Sequence, residues 1–514
     1  MNMEGTMFLN KKQKGNAGRS GMGVSHKDAL VSRRDALKLG SIGAAATAVT
    51  AVMSAKTVTA DVVNKGVEGV SSPARHGTID NIVSIDPKMK RFDQANSAFM
   101  KSLLSDFGVI PLKKGDNKKI RFALSNIIFG WTGFNPLSRK KNPHLAKQKP
   151  GHTDLDYAFS RGGFAVEDYS GSFLARVCSG DSGPAMPMPG GKLLPLTMYK
   201  QGVPFPGIFE KFPRKYKFDT PDSAAYAIKK AAKMFGADLV GVAPFEERWL
   251  YNTEVYLPLD PVKGVPYKKH VNPYRKVELG FTPKSVIVLA FEMDYEAYKC
   301  QPSAIAETAT SMGYSRMLET SLRVAYMLRR LGYNARHAGN DTGLSVPIAI
   351  QAGLGECSRM GLLITEEYGP RVRIAKVYTD MEITKDKPKT FGVKEFCEKC
   401  LKCADACPGE AISHAEKTTD PENKPQNESN NPGVDKWYNN HHKCLAFWGE
   451  SWSECGVCIS VCPYNKIEMW HHDLAKLVTR VPGLNSVARH LDAIFGYGKA
   501  YSEKLMSAYW KRRI

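Results

Sequence analysis

Nothing in this sequence is long and apolar enough to read as a membrane-spanning helix. The mildest candidate, residues 39–55, is uncharged but consists mostly of Ala, Val, Thr, Ser and Gly. It falls short of the roughly 20 apolar residues that a span requires. A mean hydropathy of −0.33 argues against a polytopic membrane protein. Two phosphate-cradling signatures are also missing. Neither GxxxxGK[ST] nor GxGxxG occurs, so the chain offers no P-loop and no dinucleotide fingerprint. No segment resembles a base-reading module, and the basic run Arg139-Lys140-Lys141 reads as a solvated face. Wholesale disorder is excluded by 43% hydrophobic and 24% charged residues. Cysteine is scarce outside one block, where only Cys178, Cys300 and Cys357 occur, and these read as buried, inert thiols.

What is present points elsewhere. At 514 residues the chain has room for two to four domains. Its formal charge is +21, and the first sixty residues hold nine basic and three acidic side chains, leaving +15 on the remainder. Ser32-Arg33-Arg34-Asp35-Ala36-Leu37-Lys38 sets an arginine pair ahead of the mild apolar run, and Val58-Thr59-Ala60 offers small residues for cleavage before Asp61. This pattern predicts a twin-arginine export signal, with alanine where phenylalanine is usual. The alternative is an ordinary helix start. Twin-arginine export carries folded proteins, so a cofactor can be inserted before the chain leaves the cytoplasm.

Eight cysteines crowd between Cys397 and Cys462. Cys397-x2-Cys400-x2-Cys403-x3-Cys407-Pro408 is a complete bacterial ferredoxin run, and Cys444-x10-Cys455-x2-Cys458-x3-Cys462-Pro463 is a stretched second one. In such runs three closely spaced thiolates hold one cubane and the fourth reaches the other. The cadence assigns Cys397, Cys400, Cys403 and Cys462 to one [4Fe–4S] cluster, and Cys407, Cys444, Cys455 and Cys458 to a second. Zinc is the rival metal for paired CxxC sequences. Two clusters in series mean single-electron relay.

Before about residue 215 the chain is rich in Gly, Pro, Lys and aromatic residues and yields no chemistry of its own. Beyond it, Ala224, Ala225, Ile228, Ala231, Ala232 and Phe235 recur at helical spacing. Residues 239–243 and 285–291 read as buried strands, 304–331 as a helix, and further strands begin near 335 and 371. This alternation indicates an α/β layered core. Gly339-Asn340-Asp341-Thr342-Gly343 and Gln351-Ala352-Gly353-Leu354-Gly355 flank a short helix. They read either as plain turns or as backbone that can approach an anion.

These pieces share an order. The arginine pair comes first, then Ala237-Asp238-Leu239-Val240-Gly241-Val242-Ala243 and Gly313-Tyr314-Ser315-Arg316-Met317. The two glycine turns, Arg359, residues 361–365, Gly369-Pro370-Arg371-Val372-Arg373 and the cysteine block follow. The set resembles the catalytic subunit of respiratory reductive dehalogenases, closely over about residues 215–475. The resemblance implies an α/β (α+β) fold, with a nitroreductase-like corrinoid-binding core beside a ferredoxin-like domain holding two [4Fe–4S] clusters. It divides the chain into a signal (1–60), an N-terminal region packed on the core (61–215), the core (216–391), the cluster domain (392–470) and a helical tail (471–514). No histidine stands in a DxHxxG context, consistent with a corrinoid whose lower ligand no histidine replaces.

The same resemblance maps a catalytic trio onto Tyr314, Asn340 and Arg373. Replacing carbon–halogen by carbon–hydrogen takes two electrons and one proton, and a phenol can deliver the proton at neutral pH. A guanidinium nearby favours the phenolate, and an asparagine amide can orient the phenol or the departing halogen. Arg373 could instead be a salt-bridged strand residue. Thr310, one turn before Tyr314, is expected against the corrin, and Gly353, Gly355 and Arg359 at the cofactor's nucleotide tail. Trp448 is either a pocket wall or a shield for a cluster. The resemblance further implies a small organohalide substrate, an electron donor from the respiratory chain, a small membrane-anchor subunit, and a place on the outer face of the cytoplasmic membrane. Surplus positive charge suits an anionic membrane or an acidic anchor. Aromatic and basic residues near the end, Tyr497, Tyr501, Tyr509, Trp510, Lys511, Arg512 and Arg513, pack back over the core or meet a partner. An epoxyqueuosine reductase acting on tRNA, or an electron-transfer ferredoxin subunit, are the alternatives.

Overall fold

A segment with no polar face has to lie inside a sheet, and SVIVLAFE is one. The sheet consists of Leu239–Pro244 (β1), Ser285–Glu292 (β2), Ala335–Ala338 (β3) and Val372–Thr379 (β4). Their spatial order is β1-β2-β4-β3 and every neighbouring pair is antiparallel. Successive side chains of β2 point to opposite faces. Ile287, Leu289 and Phe291 enter one apolar layer, while Val286, Val288 and Ala290 enter another.

The computed structural model describes residues 79–106, 142–169, 186–187, 193–194, 215–255, 274–419, 429–465 and 503–511. The expected export signal, the run 139–141, Cys178, Tyr497, Tyr501, Arg512 and Arg513 lie outside the described residues. All described residues belong to one unit, Ala60–Ile514.

Helices Asp154–Tyr169 (α1), Pro221–Met234 (α2), Ala304–Arg330 (α3) and Ser345–Gln351 (α4) cover the sheet and its surroundings. Thr220 and Ser223 form a capping box ahead of α2, with Pro221 at its first turn. The apolar stripe of α2, including Ala224, Ile228 and Ala232, packs with Val324 and Leu328 of α3 against one sheet face. Ile348, Ala349 and Ile350 of α4 lie on the other.

Helix α3 organises the molecule. Its 27 residues span about 40 Å, and Ser303 caps its start by accepting from the Ala306 N–H at 3.3 Å. Its first turns (Ile305, Ala306, Ala309) share an apolar cluster with Val393, Val457, Val461 and the thiols of Cys397, Cys403 and Cys462. Its last turns belong to the sheet core. Tyr314 lies between. Helix α1 runs along the first half: Ser311 and Ser315 donate to the carbonyls of Ser160 (3.2 Å) and Gly163 (2.7 Å). The early part of the chain therefore contributes a packing surface that its composition did not disclose.

The cysteine segment holds four short helices, Val393–Lys399 (α5), Lys402–Asp405 (α6), His441–Ser451 (α7) and Val457–Ser460 (α8). Buried Arg371, beside β4, ties it to the core by donating to Asn465 at 2.9 Å and to the Met293 carbonyl. Near the end, Glu503–Tyr509 (α9) inserts Met506 into the cluster-side core. The Trp510 indole donates to Asp156 at 2.8 Å and meets Phe159 at 5.0 Å. Trp510 packs back onto the described fold.

Candidate active site

Tyr314, Asn340 and Arg373 come from three separate elements and meet. The Asn340 amide donates to the Tyr314 hydroxyl oxygen at 2.9 Å, and the Arg373 guanidinium lies 3.9 Å from the centre of the Tyr314 ring. Burial alone would lower the Arg373 pKa, but Tyr314, Glu454 and Tyr298 outweigh it and hold the guanidinium above its ordinary range. Arg373 is thus a fixed positive charge beside the phenol. Gly313 makes the contact possible, because a Cβ there would stand 2.5 Å from Arg373 Cγ. Gly313→Ala tests this. Helix propensity favours alanine by about 1 kcal/mol, but displacing Arg373 costs about 1–3 kcal/mol of overpacking, so thermal stability should hold or fall slightly. Halide release should still fall by about 10²-fold, as misplaced active-site groups do.

The turn carrying Asn340 is held from beneath. Lys376 is fully buried in β4 and donates to the carbonyls of Gly339 (2.5 Å) and Gly343 (3.0 Å) and to Ser345 Oγ (2.7 Å). Burial pulls its ammonium down to about 8, against the opposing pull of Asp341. Tyr251 donates to the Asn340 carbonyl at 3.1 Å. Thr342, with φ +70°, is a β-branched residue in the left-handed region, where strain is stored when surroundings enforce it. Sequence reasoning passed over Lys376, although a lone lysine inside an apolar strand was a usable signal.

A second layer joins the trio to the cysteine segment. Glu454 is buried. Burial raises its carboxyl to about 7, while Arg373 and a Thr310 hydrogen bond pull the other way. Glu307, also buried, is raised well above the carboxylate range, first by burial and then by Glu454, while Ser160 donates to it at 2.9 Å. No spacing rule links Glu307 and Glu454, and only the fold brings them together.

The eight thiols sort into two neighbourhoods. Cys462 feels Cys397, Cys403 and Cys400, Cys455 feels Cys444 and Cys407, and Cys458 feels Cys455, Cys444 and Cys407 but also Cys403, where the two groups adjoin. Burial first, then mutual repulsion, pushes Cys403, Cys444 and Cys455 up to about 12. Iron is the partner that makes such buried sulfurs thiolates. Among the described residues, no three ligating side chains close to the spacing of a single-ion site. Trp448 lies beside Cys444, one turn earlier on α7.

A cavity of about 270 Å³ opens between the start of α4 and residues 429–441. Its wall is largely apolar, with Phe92, Trp249, Ile350 and Trp437 among the lining. Trp249 and Trp437 each hold a buried indole N–H with no acceptor among the described residues. A mostly apolar cavity with aromatic walls fits the flat ring system of a cofactor.

The residues expected at the cofactor, Thr310, Gly353, Gly355 and Arg359, are not among the lining of this cavity. Arg359 is buried, and its guanidinium donates to the carbonyls of Cys397 (3.0 Å), Ser413 (2.8 Å), Ala415 (3.0 Å) and Glu398 (3.3 Å). It braces the cluster loop and has little left for a phosphate. Gly353 and Gly355 are dictated by protein backbone: a Cβ would meet Lys387 O at 2.5 Å and Ile364 O at 2.0 Å. Thr310 is buried, with its hydroxyl engaged by Glu454 and Tyr298, and it does not line the cavity.

Comparison with known proteins adds three findings. Residues 396–465 match the family described as 4Fe-4S double cluster binding domain. The chain is 37% identical to a tetrachloroethene reductive dehalogenase of Dehalobacter restrictus, covering 94% of this chain and 97% of that protein. It is 36% identical to one of Sulfurospirillum multivorans, over 56% of this chain and 59% of the relative. Among solved structures, a reductive dehalogenase described as suggesting a mechanism for B12-dependent dehalogenation superposes with a TM-score of 0.54. Identity there is 21%, over 82% of this chain and 48% of the other. That likeness extends to the fold.

Proposed function

The chain belongs to the reductive dehalogenases, oxidoreductases that exchange a carbon–halogen bond for carbon–hydrogen, and on that premise we propose that Tyr314 supplies the proton at a corrinoid-bearing site. The balance is two electrons and one proton in, one halide out. A bound corrinoid supplies low-potential electrons to the carbon–halogen bond. Every other part is performed by this chain's residues. Tyr314 gives up its hydroxyl proton. Asn340 fixes the direction of that hydroxyl, and Arg373 sets positive charge beside the oxygen left behind. Cys397, Cys400, Cys403 and Cys462 hold one cluster, and Cys407, Cys444, Cys455 and Cys458 the other. Their cadence and proximity support that division. Trp448 shields the second cluster.

The observation that carries the reading is the convergence of amide, phenol and guanidinium at 2.9 Å and 3.9 Å. The tRNA-modifying and electron-transfer alternatives are less favoured, because likeness to a dehalogenase runs the length of both chains. Tetrachloroethene is the first substrate to try, since that relative is named for it. The arginine pair and the apolar run behind it support twin-arginine export. The charge surplus supports attachment to an anionic membrane face or an acidic anchor subunit, with electrons arriving from a respiratory donor. Among the described residues no helix is long and apolar enough to cross a membrane.

The test is direct. Protein purified anaerobically should carry about eight irons, as two four-iron clusters require, together with a corrinoid, and it should release chloride from tetrachloroethene. A full complement of iron with neither corrinoid nor halide release would overturn the reading.

A further inference from the structure

The cavity beside α4 has an aromatic wall, with Trp249 and Trp437 among its lining, and it carries a lysine, Lys436. The neighbouring Lys394 and Lys417 are paired with Asp435 at 3.5 Å each, and Lys417 with Glu398 at 2.8 Å. Lys436 has no such carboxylate among the described residues and lies 5.0 Å from the Tyr438 ring. Of the two carboxylates on the wall, Asp435 serves those lysines, and Glu356 accepts from the N–H groups of Phe391 (2.5 Å) and Val393 (3.3 Å). Burial pulls Lys436 down to about 8, so it still carries its charge at neutral pH.

An apolar, aromatic wall with one cation that no carboxylate pairs among the described residues suits a ligand with an anionic group and a flat apolar part. We propose that Lys436 binds the phosphate of the cofactor's nucleotide tail, with Trp249 and Trp437 flanking the attached base. The proposal rests on the corrinoid reading above. It also gives the tail a place that Gly353, Gly355 and Arg359 do not provide.

Corrinoid-free protein carrying its clusters is titrated with cobinamide phosphate and with cobinamide, which lacks the phosphate, and followed by corrin absorbance. Wild type should prefer the phosphate form by about 10- to 100-fold, the range for one charge-assisted contact. Lys436→Met should bring that ratio close to one and leave cobinamide affinity unchanged, which also reports an intact fold. Lys436→Arg should keep most of the preference. A ratio that survives Lys436→Met, or equal weakening of both ligands, overturns the proposal. If neither corrinoid binds wild type, the cofactor reading itself falls, and this assignment with it.

Discussion

Tyr314→Phe is expected to lower halide release by about 10² to 10⁴-fold, the range for loss of a positioned general acid, while iron content and cluster reduction stay normal. The expectation follows from how little else changes. Phenylalanine keeps the ring on which the Arg373 guanidinium rests at 3.9 Å, so packing between α3 and β4 survives. The hydroxyl goes, and with it the partner of the Asn340 amide at 2.9 Å and a hydrogen bond to Arg373. Asn340 is exposed, so its amide can turn to water at little cost, while the Arg373 contact should cost about 1–3 kcal/mol of stability. Unchanged halide release would remove Tyr314 from the reaction.

Lys376→Met should combine two losses. Removing the ammonium leaves the carbonyls of Gly339 and Gly343 without their donor, and buried unsatisfied acceptors cost about 1–3 kcal/mol each. The Gly339–Gly343 turn then loosens, Asn340 drifts from the phenol, and halide release should drop by about 10²-fold. The pH dependence of stability provides the second readout. Burial holds the folded-state ammonium at about 8, below the ~10.4 of an unfolded lysine. Between those values the unfolded chain binds more protons, so stability rises with pH across that window. Lys436, also near 8, contributes in the same direction. In Lys376→Met the rise should shrink to the share left by Lys436, as seen by thermal unfolding from pH 7.5 upward. An undiminished slope together with full activity would show that the turn does not depend on this side chain.

The core was legible where composition left one choice. The buried run at 285–291 and the long apolar-periodic stretch at 304–331 became β2 and α3 within a residue of expectation. Ferredoxin spacing likewise foretold two thiol neighbourhoods, because short loops leave cysteines few places to go. The cavity was not legible. Its wall draws on residues near 79–92, on Trp249, on α4, on 356–361, on Lys394 and Lys417 and on 429–441, and no local pattern announces a surface made from so many distant segments. Glycines and an arginine in a suggestive order invited a phosphate-binding reading of 353–359. The fold shows those residues answering nearby protein carbonyls. The buried Glu307 and Glu454 escaped notice for a related reason: isolated carboxylates carry no signature until packing removes their water.

Helix α3 has one further consequence. Its opening turns take their apolar neighbours from the cysteine segment and its closing turns from the sheet, so no cut near residue 391 yields two self-sufficient pieces. An engineer transplanting the electron relay to another scaffold would have to carry the helix along, and Tyr314 with it. Relay and reaction chamber are inherited as one part.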